Sequence, residues 1–324
     1  MWAAAPTLVR VTILDAPTPP AEPEVSAPPA GDPDAAVVAV DAPRVTRPGL
    51  SPSRAGDFLQ CPLLFRFRVV DRLPEPPSPA AARGTLVHAV LEHLFDLPAV
   101  ERTVQAANAM LPGRWAELLA ERPEIGELFP DEGALAEWLT SAETLLARYF
   151  TLEDPTRVEP RERELFVTHD LPEGPQLRGI VDRVDVAPNG WVRVVDYKTG
   201  KSPRAGYESG AMFQMRFYAY VIWRTRGVLP KRLQLEYLGD GVVLQHEPTE
   251  PEMQTFEARI RSIWAGIQDA ARADDWRPRT SRLCDWCAHR DLCPQFGGTP
   301  PAADPDAVER ATGVRPHAAA PVVG

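Results

Sequence analysis

The apolar positions of this chain follow two periods in turn. From Ser51 to about residue 150 they recur at helical spacing. Ser51 or Ser53 can cap a short helix running to Cys61, and residues 84–95 (GTLVHAVLEHLF) carry a stripe of Val87, Val90, Leu91 and Leu94. The same period continues over residues 100–121 and 132–150. The pattern then changes: residues 164–168, 177–187 and 191–198 are short, rich in β-branched side chains and separated by turn residues, which predicts a strand followed by a hairpin. A helix over 207–226, strands over 233–238 and 242–246, and a long amphipathic helix over 253–273 follow, whereas residues 276–294 have no period. The order predicts an α/β fold with a central mixed sheet, interrupted by a helical insertion at about residues 97–155.

Composition sets the limits of the ordered unit. The first 45 residues hold many of the 36 prolines and almost no apolar period, so they are expected to form a disordered extension. Residues 298–324 read the same way, leaving 46–297 as one ordered domain. The N-terminus has no basic start, and Arg10 and Asp15 interrupt its apolar run, unlike a secretory leader. No stretch approaches the ~20 apolar residues of a membrane span, so a cytoplasmic protein with no membrane partner is expected. Net charge is −10, and residues 46–297 retain 36 acids against 31 bases. Any basic groove for a nucleic acid must therefore be local, and carboxylates gathered around a divalent cation would add to the negative count. The bases are 32 Arg and only three Lys, at 198, 201 and 231. Placing a compact ammonium at 198 in so Arg-rich a chain suggests a specific need for it.

The sharpest chemistry lies in the hairpin LRGIVDRVDVAPNGWVRVVDYKTGK. Side chains alternate along a strand, so Ile180, Asp182, Val184 and Val186 share one side, while Val194, Asp196 and Lys198 share one side of the next strand. A three-residue Pro188-Asn189-Gly190 loop makes Ala187 face Trp191 and Asp182 face Asp196; a two-residue Asn-Gly loop would put the acids on opposite faces. Proline at the first central position and glycine at the left-handed one favour the longer loop. Opposed carboxylates beside apolar residues are costly without a cation. Asp oxygens suit Mg²⁺ or Mn²⁺, and a neighbouring lysine can orient or deprotonate a water, which together suit phosphodiester cleavage. An isolated Asp-x-Lys is equally an ordinary ion pair, and Asp185 is a second acid on the opposite strand face.

The wider pattern resembles the RecB-like branch of the PD-(D/E)xK nucleases. That family has Gly-x-x-x-His on a helix, Gly-x-x-Asp on a strand, Asp-Tyr-Lys-Thr on the next, and Gln-x-x-x-Tyr on the following helix. This chain supplies Gly84 to His88, Gly179 to Asp182, Asp196-Tyr197-Lys198-Thr199 and Gln214 to Tyr218, in that order. The resemblance spans roughly residues 51–296. It implies a restriction-endonuclease-like core in which His88, Asp182, Asp196 and the backbone carbonyl of Tyr197 hold Mg²⁺ or Mn²⁺. It also makes Lys198 the catalytic lysine, with Asp182 and Asp196 acting beside it, and assigns Gln214 and Tyr218 to DNA or the attacking water. Glu164 stands where some relatives carry a further acid. The implied activity is a DNA exonuclease working on single-stranded ends in repair or recombination. The chain has no G-x-x-x-x-G-K-[ST] phosphate loop, so unwinding would fall to a separate helicase. The other reading is a non-catalytic DNA-binding or assembly module of a helicase–nuclease complex; intact Asp182, Asp196 and Lys198 favour catalysis.

All four cysteines fit one arrangement: Cys61, then Cys284-x2-Cys287-x5-Cys293. In a cytoplasmic protein such spacing points to ligation rather than disulfides, and four thiolates suit either zinc or a [4Fe–4S] cluster. His289 is a possible substitute ligand for zinc. A lone cysteine before the nuclease motifs and C-x2-C-x5-C after them resembles the iron–sulfur staple of the same family, seen in the helicase–nuclease subunit AddB and in CRISPR-associated exonucleases. The resemblance implies a [4Fe–4S] clip joining the first helix to segment 276–294.

Overall fold

The computed structural model describes residues 9–12, 47–206 and 208–317. Strands β1 (Val9–Thr12), β2 (Gly49–Leu50), β3 (Glu162–Asp170), β4 (Gln176–Val186), β5 (Val192–Lys198), β6 (Arg232–Tyr237) and β7 (Val242–His246) form one mixed sheet. Their order is β1-β7-β6-β5-β4-β2, with β3 also paired to β4. Pairing is parallel for β5 with β6 and for β2 with β4, and antiparallel elsewhere.

The helices are α1 (Pro52–Gln60), α2 (Pro62–Phe65), α3 (Pro79–Leu94), α4 (Val104–Glu121), α5 (Glu132–Leu152), α6 (Glu208–Ala211), α7 (Phe213–Arg226), α8 (Glu250–Ala273) and α9 (Pro305–Thr312). Their starts are chemically marked. Side chains of Ser51, Ser78, Thr103, Asp131 and Thr249 accept from the first-turn amides, and proline occupies the opening turn of α1, α3 and α8. Helix α3 begins at Pro79, five residues before the predicted segment 84–95, because Ser78 and Pro79 nucleate a small-residue turn that carries no apolar period. The helix predicted over 207–226 is divided into α6 and α7, and Tyr207 lies outside the described residues.

Alternation on the sheet divides the interior in two. One face, including Val184, Val194, Leu233 and Leu235, packs under α7, which α8 covers in turn. Helix α7 is apolar nearly all round, from Met215 to Ile222, because it is sandwiched. The other face sends Val195 and Tyr197 into a second core with α3, α4 and α5. The predicted insertion is thus a helical layer covering the back of the sheet.

That back face also buries a charge network. Arg183, 1% exposed, lies 2.7 Å from Glu153 and 3.1 Å from Asp185, and Arg193 pairs with the same two acids at 2.8 Å each. Arg183 also donates to the Tyr197 hydroxyl at 2.7 Å.

Two terminal expectations change. Residues 298–324 are not wholly disordered: α9 buries Val308 and Thr312 completely and lies on α8. Capping by Asp304, a terminal Gly313 at φ 74° and the packing of Val308, Ala307 and Ala311 on the core hold this short helix. Within residues 1–45, Val9–Thr12 pairs with the β7 edge, a contact made by backbone groups that needs no apolar stripe. The remainder of both stretches lies outside the described residues, apart from the segments flanking α9. Among the described residues, no helix is long and apolar enough to cross a membrane.

Candidate active site

The hairpin turn sets the geometry. The Ala187 amide donates to the Trp191 carbonyl at 2.9 Å, Gly190 donates to the Ala187 carbonyl at 2.8 Å, and Gly190 has φ +82°. This is the three-residue loop, and the Arg183–Val195 and Val184–Val194 pairs that follow bring Asp182 opposite Asp196. Beyond Arg183 the β4–β5 ladder ends, while β5 remains paired to β6 through Lys198. The strands separate there, and the Asp182 carboxylate accepts from the freed Tyr197 amide at 2.7 Å. A side chain thereby satisfies a backbone group that the split would otherwise strand.

His88, on the third turn of α3, reaches this split from behind. Its Nδ1 lies 3.4 Å from Asp182, and its Nε2 contacts the Tyr197 carbonyl at 2.9 Å. Glu164 approaches from β3, directly across from Asp182 in the β3–β4 register. Its φ of +44° lies in the left-handed region, unusual for a non-glycine residue within a strand. Together, His88, Glu164 and Asp182 offer ligand atoms all within 4.8 Å of one another. Among the described residues this is the group of His, Cys, Asp and Glu gathered that closely. Imidazole and carboxylate oxygens are a donor set that fits Mn²⁺ or Mg²⁺.

Asp196 stands outside that group. It is 1% exposed, 2.5 Å from Lys198 Nζ, and accepts from Gln214 Nε2 at 2.7 Å. Gln214 in turn accepts from Lys198 at 2.9 Å and donates to the Tyr218 hydroxyl at 2.8 Å. Gln214 and Tyr218 share the α7 face turned to the sheet, one turn apart. A Cβ at position 179 would come within 2.6 Å of the Tyr218 ring, so glycine is what lets Tyr218 lie across β4. The Gly-x-x-Asp spacing therefore has a packing reason as well as a chemical one.

Electrostatics records an excess of negative charge. Burial, then Asp182, lifts Glu164 to about 7. Burial, then Asp182, lifts Asp196 to about 6 against the pull of Lys198. For His88, burial opposes the charged ring, yet Asp182, Asp196 and Glu164 raise it to about 9. Protons are held where a divalent cation would neutralise the carboxylates.

The structure brings all the motif residues to one region, but it divides them into a His88–Asp182 side and an Asp196–Lys198–Gln214–Tyr218 side. Glu164 joins the first, and only its place before the hairpin hinted at that in the sequence. Asp185 is directed away, into the Arg183 network.

The four cysteines, all free thiols, line one pocket with Leu63, Leu64 and Phe67. The Arg279 amide points at Cys61 Sγ at 3.4 Å and the Ser281 amide at Cys284 Sγ at 3.3 Å. His289 is committed elsewhere: it is 4% exposed and 2.9 Å from Glu75. The four cysteines thus border one pocket, and backbone amides are aimed at the sulfurs of two of them.

Comparison with known proteins identifies relatives and a family. The chain is 27% identical over 284 residues to the Gene 69 protein of Mycobacterium phage D29, covering 78% of this chain and 99% of that protein. It is 30% identical over 127 residues to the Gene 69 protein of Mycobacterium phage L5, covering 38% of this chain and 41% of that one. Among solved structures, the crystal structure of SSO0001 matches with a TM-score of 0.38 and 14% identity, over 79% of this chain and 89% of that chain. The family model described as PD-(D/E)XK nuclease superfamily matches residues 49–294, the span from β2 through the last cysteine. The chain belongs to the PD-(D/E)XK nuclease superfamily.

Proposed function

We propose that the protein is a Mg²⁺- or Mn²⁺-dependent DNA nuclease that hydrolyses single-stranded ends as an exonuclease, in DNA repair or recombination. The observation carrying this reading is the His88–Glu164–Asp182 ligand group beside a lysine held by Asp196 and Gln214. Asp182, His88 and Glu164 hold the metal, with Asp196 and the Tyr197 carbonyl completing its surroundings. Bound there, the ion supplies Lewis-acid activation of water and neutralises charge on the phosphate. Lys198, fixed between Asp196 and Gln214, orients the attacking water and offsets charge on the phosphate oxygens. The water oxygen bonds to phosphorus as the bond to the leaving sugar oxygen breaks, and that oxygen takes up a proton.

Single-stranded substrate is favoured by the cleft in front of Lys198. It has a volume of about 760 Å³, and its wall carries Phe166 and Ile180, opposite each other on β3 and β4 and 61% and 49% exposed. Apolar and aromatic surface beside a phosphate-cleaving centre suits unpaired bases, which can stack on it. Unwinding, where needed, belongs to a separate helicase.

The cysteine pocket is assigned to a [4Fe–4S] cluster. Four cysteines bordering one largely apolar pocket, with amide donors aimed at two of the sulfurs, suit a cluster ligated by four thiolates. Joining Cys61 to the segment after α8, it clips the two ends of the domain.

The test is cleavage of end-labelled single-stranded DNA, duplex DNA and RNA by anaerobically purified protein, with Mg²⁺, Mn²⁺ or EDTA. Lys198→Ala is expected to lower the rate by about 10²–10⁴-fold. Protein that binds DNA in every condition but cuts none would leave a non-catalytic module instead. Iron and sulfide analysis against zinc decides the cluster.

A further inference from the structure

Beside the proposed cleft lies a second pocket of about 540 Å³, and Arg178 lines both. Its walls come from distant parts of the chain: β2 and α1, the segment after the helical turn at Val70, and α9. Five arginines border it, at 47, 54, 72, 178 and 310, against Asp71 and Asp304. Those acids are occupied. Asp71 lies 3.1 Å from Arg66 and Asp304 3.5 Å from Arg310, while Arg47 lies 3.5 Å from Asp170.

Arg54, Arg72 and Arg178 make no ion pair among the described residues. Two of them converge on Gly49. Arg54 donates to its carbonyl at 2.9 Å, and Arg178 lies so close over it that a Cβ there would come within 2.8 Å of the guanidinium. Like-charged groups pressed together repel, and at Arg54 the Asp57 carboxylate, itself paired to Arg68, offsets that repulsion only in part. Burial, then Arg178 and Arg72, lowers Arg54 to about 10. The arrangement lacks an anion. A planar guanidinium fork matches the oxygens of phosphate.

We propose that Arg54, Arg72 and Arg178 form a phosphate site that holds the backbone of the DNA strand running out of the catalytic cleft. Arg178, shared by the cleft and the pocket, is the bridge between the cut phosphate and the held one. The proposal rests on the nuclease reading only for the identity of the strand; anion binding by the three arginines does not need cleavage. A terminal 5′-phosphate offers the same oxygens as a backbone phosphate, and the experiment separates them.

Binding of fluorescently labelled single-stranded oligonucleotides, with a 5′-phosphate or a 5′-hydroxyl, is measured on the full chain in EDTA across a salt series. Arg54→Gln/Arg178→Gln is expected to weaken binding at least tenfold. It should also flatten the salt dependence by roughly 0.7 log units per log unit of salt for each phosphate released. Arg72→Gln, at an exposed position with no structural contact to lose, is expected to act in the same direction by several-fold. Arg277→Gln, exposed and not among the residues lining the pocket, controls for net charge. Equal loss for both oligonucleotides supports a backbone phosphate, whereas loss confined to the phosphorylated end moves the site to the terminus and overturns the backbone assignment. Binding that is absent in the parent protein, or no weaker in the pocket variants than in Arg277→Gln, overturns the site altogether. Protein that binds through these arginines yet cuts nothing with metal would defeat the nuclease reading alone.

Discussion

The β4–β5 hairpin carries two clusters of charge, one on each side of the place where its ladder ends. On the turn side, Arg183 and Arg193 share Glu153 and Asp185 in direct ion pairs, and the fully buried Glu236 adds a third acid that burial and then Glu153 lift to about 7. On the split side, Glu164, Asp182 and Asp196 face one lysine and a histidine, and two of the acids are pushed to about 7 and about 6. Tyr197 belongs to both: its hydroxyl accepts from Arg183, its amide donates to Asp182 and its carbonyl meets His88. The first cluster closes its ion pairs within the protein and holds the sheet to the helical layer, with Gln234 donating to Glu236. The second gathers His88, Glu164 and Asp182 with their ligand atoms close together. Crowded acids occur in both, and the contrast locates function by which of them present their oxygens jointly.

Breaking each cluster should therefore have opposite effects on the metal-free protein. Arg183→Leu leaves Glu153 and Asp185, both nearly buried, with Arg193 alone, a loss expected at the lower end of the range of about 3–5 kcal/mol for removing one partner of a buried pair. Asp182→Asn removes one of three crowded acids, so the metal-free variant is expected to unfold at the same denaturant concentration as the parent or a higher one. Its metal response should disappear. Urea titrations in EDTA measure both, and a large loss of stability in Asp182→Asn would remove the distinction between the clusters.

Next in size is the effect of the ion. A ligand bound only by the folded state stabilises it by about 2.7 kcal/mol at one hundred times its dissociation constant. Mn²⁺ or Mg²⁺ should raise the parent's melting temperature and leave that of His88→Ala/Asp182→Asn unchanged. The pH dependence has a definite sign. Glu164 has a folded value of about 7, raised from 4.5, so its contribution is complete below about 4.5 and is lost as pH rises through 7. His88, raised from 6.5 to about 9, contributes stability that is lost between those values. The metal-free melting temperature should fall from pH 5 to pH 9, and saturating metal should flatten the decline by replacing the protons. A metal-free curve that rises across this window would contradict the crowded-acid description.

Much of this contrast is legible in the sequence, and the unreadable parts share a cause. Asp182, Asp196 and Lys198 announce themselves because the period-two pattern and the Pro-Asn-Gly turn fix their register. The spacing of the cysteines singles them out, and the fold brings all four to one pocket. Glu164 could not be ranked, since its left-handed backbone and approach to Asp182 depend on how β3 meets β4. The Arg54, Arg72 and Arg178 cluster has no local signature at all: Arg54 and Arg178 meet because a two-residue strand pairs with β4, and α9 closes the pocket around them from far along the chain. Helix α9 and strand β1 were hidden for a related reason, being short elements held by a few long-range contacts within proline-rich surroundings.

The smallest effect tests the turn that separates the clusters. Gly190 holds φ +82° with nothing near the position of a Cβ, so Gly190→Ala meets no clash and costs only the left-handed backbone, about 1 kcal/mol. Asp182 and Asp196 stay opposed as long as the loop keeps three residues. The variant should therefore unfold at slightly lower urea while each folded molecule binds metal as the parent does. Deleting Asn189 in the same loop is the complementary change: a two-residue connection reverses the relative facing of the strands, separating the acids and breaking the Arg193 contacts with Glu153 and Asp185 together. Metal-dependent stabilisation measured by melting in both variants reads register apart from strain. If Gly190→Ala lost its metal response while remaining folded, the turn would be shaping the site by more than register.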